Sequence, residues 1–271
     1  MVVFPNCKIN LGLNILRRRP DGFHDISSVF IPLPIYDALE IIPASGSETT
    51  FEMTGVTKGI SSENICLKAY QLIQKDFPHL PALKIHLHKT LPAGAGLGGG
   101  SSNATYMLSL LKKQFDLDIT PAKMEAYALK LGSDCPFFLN NEWALASGKG
   151  EIRKPLPNYL PGKKILVLHP GLNIRTAAIF EEVVPRLPQK TIIDILEQDI
   201  ATWKNELKND FEEIVFPKYP LLKEIKQNLY DLGALYASMT GTGSALYGIF
   251  NGKAEEIILH NPAFFQKWVT L

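Results

Sequence analysis

A glycine-rich stretch, "LPAGAGLGGGSSNA" from Leu91 to Ala104, decides how the rest of this sequence is interpreted. Five of the seven residues from Gly94 to Gly100 are glycine, the residue that loses the most backbone freedom on folding. The preceding "ALKIHLHKT" alternates as a strand does, and the following "SNATYMLSLLKKQF" places apolar residues at helical spacing. We therefore predict a strand, a glycine loop and a helix, in that order.

A loop of this kind is suited to holding a phosphate. The start of a helix offers unpaired N–H groups and the positive end of the helix dipole. Glycines let the backbone approach an anion closely, and the hydroxyls of Ser101 and Ser102 stand at the predicted helix start. Each serine has two interpretations, a helix cap or a contact to phosphate or to a phosphate-bound metal. A flexible surface loop would be the plainer explanation of the glycines, but the flanking strand and helix argue against it.

Three phosphate-binding patterns compete for the loop. A Walker A loop needs a lysine where this chain has Ser101. The dinucleotide fingerprint G-x-G-x-x-G matches formally at Gly94, Gly96 and Gly99, although so glycine-rich a stretch matches it by accident. That fingerprint also needs an acidic residue at the end of a second strand, and no strand is predicted after the helix. The third pattern is a glycine loop that runs into a serine-rich helix start.

Composition restricts the possible classes of protein. The chain has 271 residues, 28 Lys and Arg against 27 Asp and Glu, and a net charge of +1. Such a balance creates no global field for nucleic acid or a membrane, so an anion site must be local. Three widely separated cysteines suit a reducing cytoplasm rather than a disulfide framework. The sequence contains neither a secretory-type leader nor an apolar run long enough to span a membrane.

Other segments predict an α+β protein of two lobes. "KINLGLNIL", "PFFLN" and "EWALAS" have the pattern of strands. "SSENICLKAYQLIQKDF" predicts a helix after a serine cap, and "TPAKMEAYALKLG" one that begins at Thr120 and stops at Gly132. The proline-rich run from Pro155 to Pro161 is the predicted domain boundary.

Some isolated polar side chains carry little signal by themselves. A lysine such as Lys8 on a strand is usually solvated, and Asp134 has the setting of an ordinary turn aspartate. His86 and His88 are too few for a zinc site, so a solvated strand face is the simpler interpretation. Cys135 lacks a recognisable histidine partner and is interpreted as a packing residue.

Five motifs together resemble the GHMP kinases, the superfamily of galactokinase, homoserine kinase and the mevalonate kinases. They occur in that family's order along nearly the whole chain: "CKINLGLNILRRRPDGFHDISSVF", "SSENICLKAYQL", "LPAGAGLGGGSSNA", "LGSDCPFFL" and "MTGTGSALYGIF". Two departures from the pattern are Phe23, where a tyrosine is usual, and Ser147, where an acidic residue is usual.

The resemblance implies a two-lobed GHMP kinase fold. Its N-terminal lobe would be ribosomal-protein-S5-domain-2-like and its C-terminal lobe ferredoxin-like, here over residues 1–155 and 156–271. The resemblance also implies site residues. Lys8 and Asp134 would be catalytic, with Asp134 as general base, while Asn10, Phe23, His24 and Phe180 would bind substrate. The expected nucleotide contacts are Asn64, Pro92, Ala93, Gly94, Ala95, Gly96, Leu97, Gly98, Gly99, Gly100, Ser101 and Ser102.

The expected reaction is the ATP-dependent phosphorylation of the 2-hydroxyl of 4-diphosphocytidyl-2-C-methyl-D-erythritol. Mg²⁺ would be bound mainly through the nucleotide, without a metal site built by the protein. We expect a cytoplasmic monomer or weak homodimer whose partner is this small molecule, not nucleic acid or a membrane. A sibling kinase for another alcohol, a dehydrogenase and a non-catalytic nucleotide sensor remain alternatives.

Overall fold

The chain divides into two compact units that interleave along the sequence. The structure, a computed structural model, describes residues 1–56, 64–255 and 264–271. Unit 1 comprises Met1–Cys7, Pro34–Ala93 and Gly98–Glu142, and unit 2 comprises Lys8–Leu33, Gly94–Leu97 and Trp143–Leu271. The division at residue 155 is thus not the division made by packing, and as a domain boundary it stays a prediction.

The described residues form these strands and helices. The strands are β1 (Val2–Val3), β2 (Asn6–Arg18), β3 (His24–Tyr36), β4 (Ala38–Pro43), β5 (Thr50–Gly55), β6 (Leu83–Lys89), β7 (Ala144–Ser147), β8 (Ile152–Pro155), β9 (Lys164–His169), β10 (Tyr236–Met239), β11 (Leu246–Phe250) and β12 (Phe265–Thr270). The helices are α1 (Ile65–Gln74), α2 (Gly99–Gln114), α3 (Pro121–Leu131), α4 (Phe137–Asn140), α5 (Thr176–Glu182), α6 (Ile192–Leu196), α7 (Ile200–Glu206), α8 (Glu212–Lys218) and α9 (Pro220–Asp231). No helix among them is long and apolar enough to cross a membrane.

Unit 1 packs three helices on one face of a four-stranded sheet. The strand order is β1-β4-β6-β5, antiparallel except for the parallel pair β5 and β6. Alternation in β6 buries Ile85 and Leu87 and leaves Lys84 and His88 exposed. The buried residues form a core with apolar side chains of α1, α2 and α3. This core fixes the end of β6 and the start of α2, which flank the glycine loop.

Unit 2 contains two four-stranded sheets. One has the order β2-β3-β7-β8, and the other, β10-β11-β9-β12, is antiparallel throughout. Leu222, Ile225 and Leu229 recur at helical spacing on α9 and are buried in the core shared with the second sheet. The turn between β10 and β11, which carries the "GTG" of the motif "MTGTGSALYGIF", is therefore held by a packed sheet and helix.

Two local predictions are wrong. "PFFLN" is a helical turn, α4, not a strand: Pro136 is in the αR region, and Phe137 N–H donates to Asp134 O at 3.1 Å. A short apolar run cannot distinguish a strand from a buried helical turn. The cap of α1 is Asn64, whose side chain accepts from Cys66 N–H at 2.8 Å. The serines predicted for that role, at positions 61 and 62, lie outside the described residues.

Candidate active site

The first half of the glycine loop packs against the β10–β11 turn of unit 2. Gly94 and Gly96 have φ of +64° and +76°, a region that L-residues rarely adopt. A Cβ on Gly96 would overlap the carbonyl oxygen of Thr240 and lie 3.3 Å from that of Gly243. The Thr240 hydroxyl also donates to Gly96 O at 3.0 Å. Only glycine at position 96 permits this approach of backbone to backbone.

Lys8 is buried in unit 2, with 3% of its surface exposed. Its ammonium donates to Asn10 Oδ1 at 2.6 Å and lies 4.3 Å from the centre of the Phe30 ring. Its backbone N–H donates to Leu97 O at 2.9 Å, which ties it to the glycine loop. The interpretation of Lys8 as a solvated lysine is therefore wrong. Burial of an ammonium is costly unless it has polar and π partners of this kind.

Asn10 uses its hydrogen-bonding groups within the protein. Its amide nitrogen donates to Ser28 Oγ at 2.9 Å, and its backbone N–H donates to Thr240 Oγ1 at 3.0 Å. The side-chain oxygen accepts from Lys8, as described above. These contacts make Asn10 a support for the Lys8 ammonium, and a direct contact from Asn10 to substrate stays a prediction.

The second half of the loop begins α2 in unit 1. Gly98, at φ +69°, is the N-cap residue and has no side chain with which to cap. Ser102 N–H donates to Gly98 O at 2.9 Å, and the N–H groups before it have no acceptor within the helix. The interpretation of either serine as the helix cap is therefore wrong, and α2 begins at Gly99 rather than Ser101.

The two serines at the start of α2 have different surroundings. Ser101 hydrogen-bonds the thiol of Cys135. The hydroxyl of Ser102 is fully buried, and in the part of the chain that the structure describes it has no hydrogen-bond partner. An unsatisfied buried hydroxyl costs about 1–3 kcal/mol and calls for an explanation. A ligand oxygen at this helix start would provide its partner.

Asp134 lies half-buried in the turn that follows α3 in unit 1. Cys135 N–H donates to Gly132 O at 3.2 Å, and Phe137 N–H donates to Asp134 O, so hydrogen bonds close the turn on both sides. Burial raises the pKa of the neighbouring Cys135 thiol to about 11, against the hydrogen bond from Ser101. Cys135 is therefore a neutral thiol near pH 7, which supports its interpretation as a packing residue rather than a nucleophile.

The predicted cytidyl-binding side chains all lie in unit 2. Phe23 is 56% exposed, and the Lys149 ammonium lies 4.4 Å from the centre of its ring. His24 is buried, with its ring centroid 5.5 Å from that of Phe180. Burial and the nearby Arg18 charge lower the pKa of His24, so its imidazole is neutral near pH 7. The structure thus has an exposed aromatic ring at position 23 and, at the next position, a buried, neutral imidazole that packs against Phe180.

Phe180 is half-buried and packs at the edge of the unit 2 core. Its ring is 4.8 Å from that of Phe211, at an interplanar angle of 71°. Phe180 therefore contacts both the core, through Phe211, and His24. Its contact with a base stays a prediction.

Comparison with known proteins decides the family. The GHMP kinase N-terminal domain model matches residues 64–142, and the GHMP kinase C-terminal model matches residues 191–267. A 4-diphosphocytidyl-2-C-methyl-D-erythritol kinase of Cytophaga hutchinsonii is 48% identical over 257 residues, 94% of each chain. One of Bacteroides fragilis is 43% identical over 93% of this chain and 92% of its own. The chain belongs to the GHMP kinases, among the 4-diphosphocytidyl-2-C-methyl-D-erythritol kinases.

Solved structures agree with this assignment. A crystal structure of 4-(cytidine 5'-diphospho)-2C-methyl-D-erythritol kinase matches with a TM-score of 0.78 and 32% identity, over 92% of this chain and 90% of that one. The mevalonate kinase of Methanococcus jannaschii matches with a TM-score of 0.71 at 11% identity, a likeness of fold alone. The predicted GHMP kinase fold is confirmed.

Membership of the GHMP kinases removes the dinucleotide-binding alternative. A dinucleotide fingerprint belongs to a mostly parallel sheet with strands on both sides of its helix. Here β6, which precedes the loop, pairs antiparallel with β4 on one side and parallel with β5 on the other. The element after α2 is helix α3, with no strand between them. The formal G-x-G-x-x-G match is therefore accidental.

A buried ion pair at the end of β6 was not predicted from the sequence. The Lys89 ammonium bonds the Asp37 carboxylate, and both side chains are almost fully buried. Asn103 of α2 completes the cluster: it accepts from Lys89 at 3.0 Å and donates to Asp37 at 2.9 Å. This cluster anchors the start of α2 to β6. The only sequence signal for it was Lys89, a charged residue at an inward-facing strand position.

Asn64 and the two strand histidines are engaged locally. The Asn64 side chain caps α1, so its contact with a nucleotide stays a prediction. His86 and His88 both hydrogen-bond Thr54, at 3.0 and 2.9 Å, on a half-exposed face of the sheet. Within residues 1–56, 64–255 and 264–271, no group of three or more His, Cys, Asp or Glu is placed to hold a metal ion.

Proposed function

We propose that this GHMP kinase transfers the γ-phosphoryl group of ATP to the 2-hydroxyl of 4-diphosphocytidyl-2-C-methyl-D-erythritol. The reaction is a step of the non-mevalonate pathway to isoprenoid precursors. The observation that supports this proposal most strongly is the 48% sequence identity, over 94% of the chain, to a relative named for this activity. Both predicted catalytic residues, Lys8 and Asp134, are present at the positions that the motifs require.

The glycine loop fits a triphosphate in its local chemistry. In unit 1, α2 offers unpaired N–H groups and the positive end of a 16-residue helix. It also carries the Ser102 hydroxyl, which has no hydrogen-bond partner within the part of the chain that the structure describes. In unit 2, glycines at positive φ let the chain turn where a side chain would not fit. We propose that residues 92–102 bind the ATP phosphates, with the fixed N–H dipoles stabilising charge that develops during transfer.

The chemical step needs an oxygen nucleophile in line with the γ-phosphorus. The substrate oxygen forms the new P–O bond, the bond to the β-phosphate oxygen breaks, and ADP leaves. Asp134 accepts the hydroxyl proton as the new P–O bond forms, so the oxygen that bridges carbon and phosphorus in the product is not left protonated. Lys8, whose ammonium Asn10 and Phe30 hold in one position, supplies fixed positive charge for this reaction.

Magnesium is proposed to arrive with the nucleotide. The described residues include no three-residue group suited to a metal ion, which is compatible with an ion held largely by phosphate oxygens. When bound, Mg²⁺ neutralises phosphate charge. The hydroxyls of Ser101 and Ser102 are the proposed protein groups near it.

Specificity is proposed to reside in the Phe23 and His24 region. An exposed ring offers a face on which any base can stack, while hydrogen bonds to base edges discriminate. Because His24 is neutral, it has one N–H donor and one acceptor for the cytosine edge. Lys149 lies over the Phe23 ring, so the base is expected on the opposite ring face. We further propose a cytoplasmic monomer or weak homodimer that binds neither nucleic acid nor membranes, which the balanced charge supports.

A substrate panel tests the proposed function directly. The purified protein is incubated with ATP, Mg²⁺ and one alcohol at a time, and ADP release is measured by a coupled assay. The panel contains the cytidyl substrate, its uridyl analogue, mevalonate and homoserine. ADP release should depend on the cytidyl alcohol, with phosphate found on its 2-hydroxyl. Faster turnover of mevalonate or homoserine would replace this function with that of a sibling kinase.

A further inference from the structure

A buried threonine on α2 joins the helix to the turn that carries Asp134. Thr105 is fully buried, and its hydroxyl lies 2.7 Å from Cys135 O and 3.0 Å from Ser101 O. The hydroxyl has one hydrogen, so the two carbonyl oxygens share it, and the shorter contact is the one to Cys135. The residue after Asp134 is thereby bonded to the same side chain as the first turn of α2.

The hydrogen bonds of Thr105 indicate that this residue links two elements rather than favouring the helix itself. Threonine is a weak helix former, and a bond to the carbonyl four residues earlier gives no net advantage to the helix. The hydrogen bond to Cys135 O is different, because it joins α2 to the turn after α3, 30 residues away in the sequence. A second link runs in parallel, from Ser101 to the Cys135 thiol. A Cβ on Gly132 would lie 3.3 Å from that sulfur, so the turn packs closely beneath Cys135.

We propose that Thr105 is a positioning residue for Asp134. By bonding Cys135 O, its hydroxyl fixes the backbone beside the general base relative to the helix start that carries Ser101 and Ser102. This inference rests on the proposed function for the role of Asp134. In-line transfer requires the carboxylate within hydrogen-bond reach of the acceptor hydroxyl, and a shift of about 1 Å can cost roughly 10²-fold in rate.

Three variants test the role of the hydroxyl in kinetics. Thr105→Val keeps the shape and removes the hydrogen bond, while Thr105→Ser keeps the hydroxyl. Thr202→Val is the matched control, since Thr202 on α7 of unit 2 also donates to a backbone carbonyl, Asp199 O, at 2.8 Å. Thr105→Val should lower kcat roughly 10–10²-fold with little change in the KM for ATP. Thr105→Ser should restore most of kcat, and Thr202→Val should match wild type.

Amide hydrogen exchange tests the link without any substrate. In Thr105→Val the backbone amides of residues 134, 135 and 137–139 should exchange about tenfold faster, the equivalent of one lost hydrogen bond, while amide exchange in β6 stays unchanged. Thr105→Ser should restore protection. Unchanged exchange in Thr105→Val, or a Thr105→Ser enzyme as slow as Thr105→Val, overturns the proposal. If exchange changes as expected but wild type leaves the cytidyl alcohol unphosphorylated, the link stands and the proposed function fails.

Discussion

Replacement of Gly96 by alanine is the sharpest test of how the glycine loop is held. An L-residue at φ +76° costs about 1–2 kcal/mol relative to glycine. The new Cβ would also overlap Thr240 O, so the loop or the β10–β11 turn must move. That movement breaks the hydrogen bond from Thr240 Oγ1 to Gly96 O, worth about 0.5–1.5 kcal/mol. Gly96→Ala should therefore lower the free energy of unfolding by about 1.5–3.5 kcal/mol.

A matched control lies four residues further along the same loop. Gly100 is inside α2, and an added Cβ would meet nothing within 4 Å. Gly100→Ala should raise the free energy of unfolding by roughly 0.5–1 kcal/mol, because alanine favours the helix. Any loss of ATP affinity in this variant then reports a phosphate near Gly100 rather than damage to the fold.

Urea unfolding and isothermal titration calorimetry with ATP measure the two effects separately. Gly96→Ala should weaken ATP binding at least ~10-fold, a loss of ~1.4 kcal/mol, since displaced backbone no longer fits the phosphates. A Gly96→Ala protein as stable as wild type would refute the packing argument. Undiminished ATP affinity in both variants would show that the phosphates bind elsewhere.

Three further predictions concern the catalytic base, the cytidyl site and the buried ion pair. Asp134→Asn should lower kcat ~10²–10⁴-fold with little change in ATP affinity by calorimetry, and a variant that keeps half of the wild-type rate would exclude a general base at this position. Phe23→Ala should raise the KM for the cytidyl substrate by the equivalent of about 1–3 kcal/mol, while His24→Ala should reduce the preference for cytidyl over uridyl substrate. Normal KM and base preference in both would move the cytidyl site elsewhere. Lys89→Met should cost about 3–5 kcal/mol in urea unfolding, because it leaves a buried carboxylate unpaired. The exposed-pair control Lys218→Met should cost less than about 1 kcal/mol, and equal losses would contradict the buried-pair argument.

Local features of this protein could be predicted from the sequence because they depend on few neighbouring residues. The helix over Pro121–Leu131 begins after Thr120, whose side chain caps it as predicted, and ends before Gly132. The strand, glycine loop and helix from Leu83 to Gln114 follow the predicted order, since alternation and helical spacing are properties of short segments. The family could be recognised because its motifs are short stretches of this kind.

Tertiary structure decided which polar groups are buried and with what partners. Asp37 and Lys89 are 52 residues apart, and Asn10 and Thr240 are 230 apart, so no local pattern relates them. From the sequence, the Lys8 side chain could be either exposed to solvent or buried. Its contacts with Asn10 and Phe30, which only the folded chain brings around it, place it in the interior. Burial of a charge depends on partners that the folded chain brings from distant positions, because desolvation without them costs too much.

The sequence by itself therefore determined that this protein has a glycine loop between a strand and a helix, and to which family its motifs belong. Tertiary structure decided that Gly98 rather than a serine is the N-cap residue of that helix, and that the Ser102 hydroxyl finds no hydrogen-bond partner among the described residues. It also decided that "PFFLN" turns as a helix beside Asp134. The physical reason is the same in each case: backbone conformation at these positions is set by hydrogen bonds and packing from other elements, which short-range patterns do not encode.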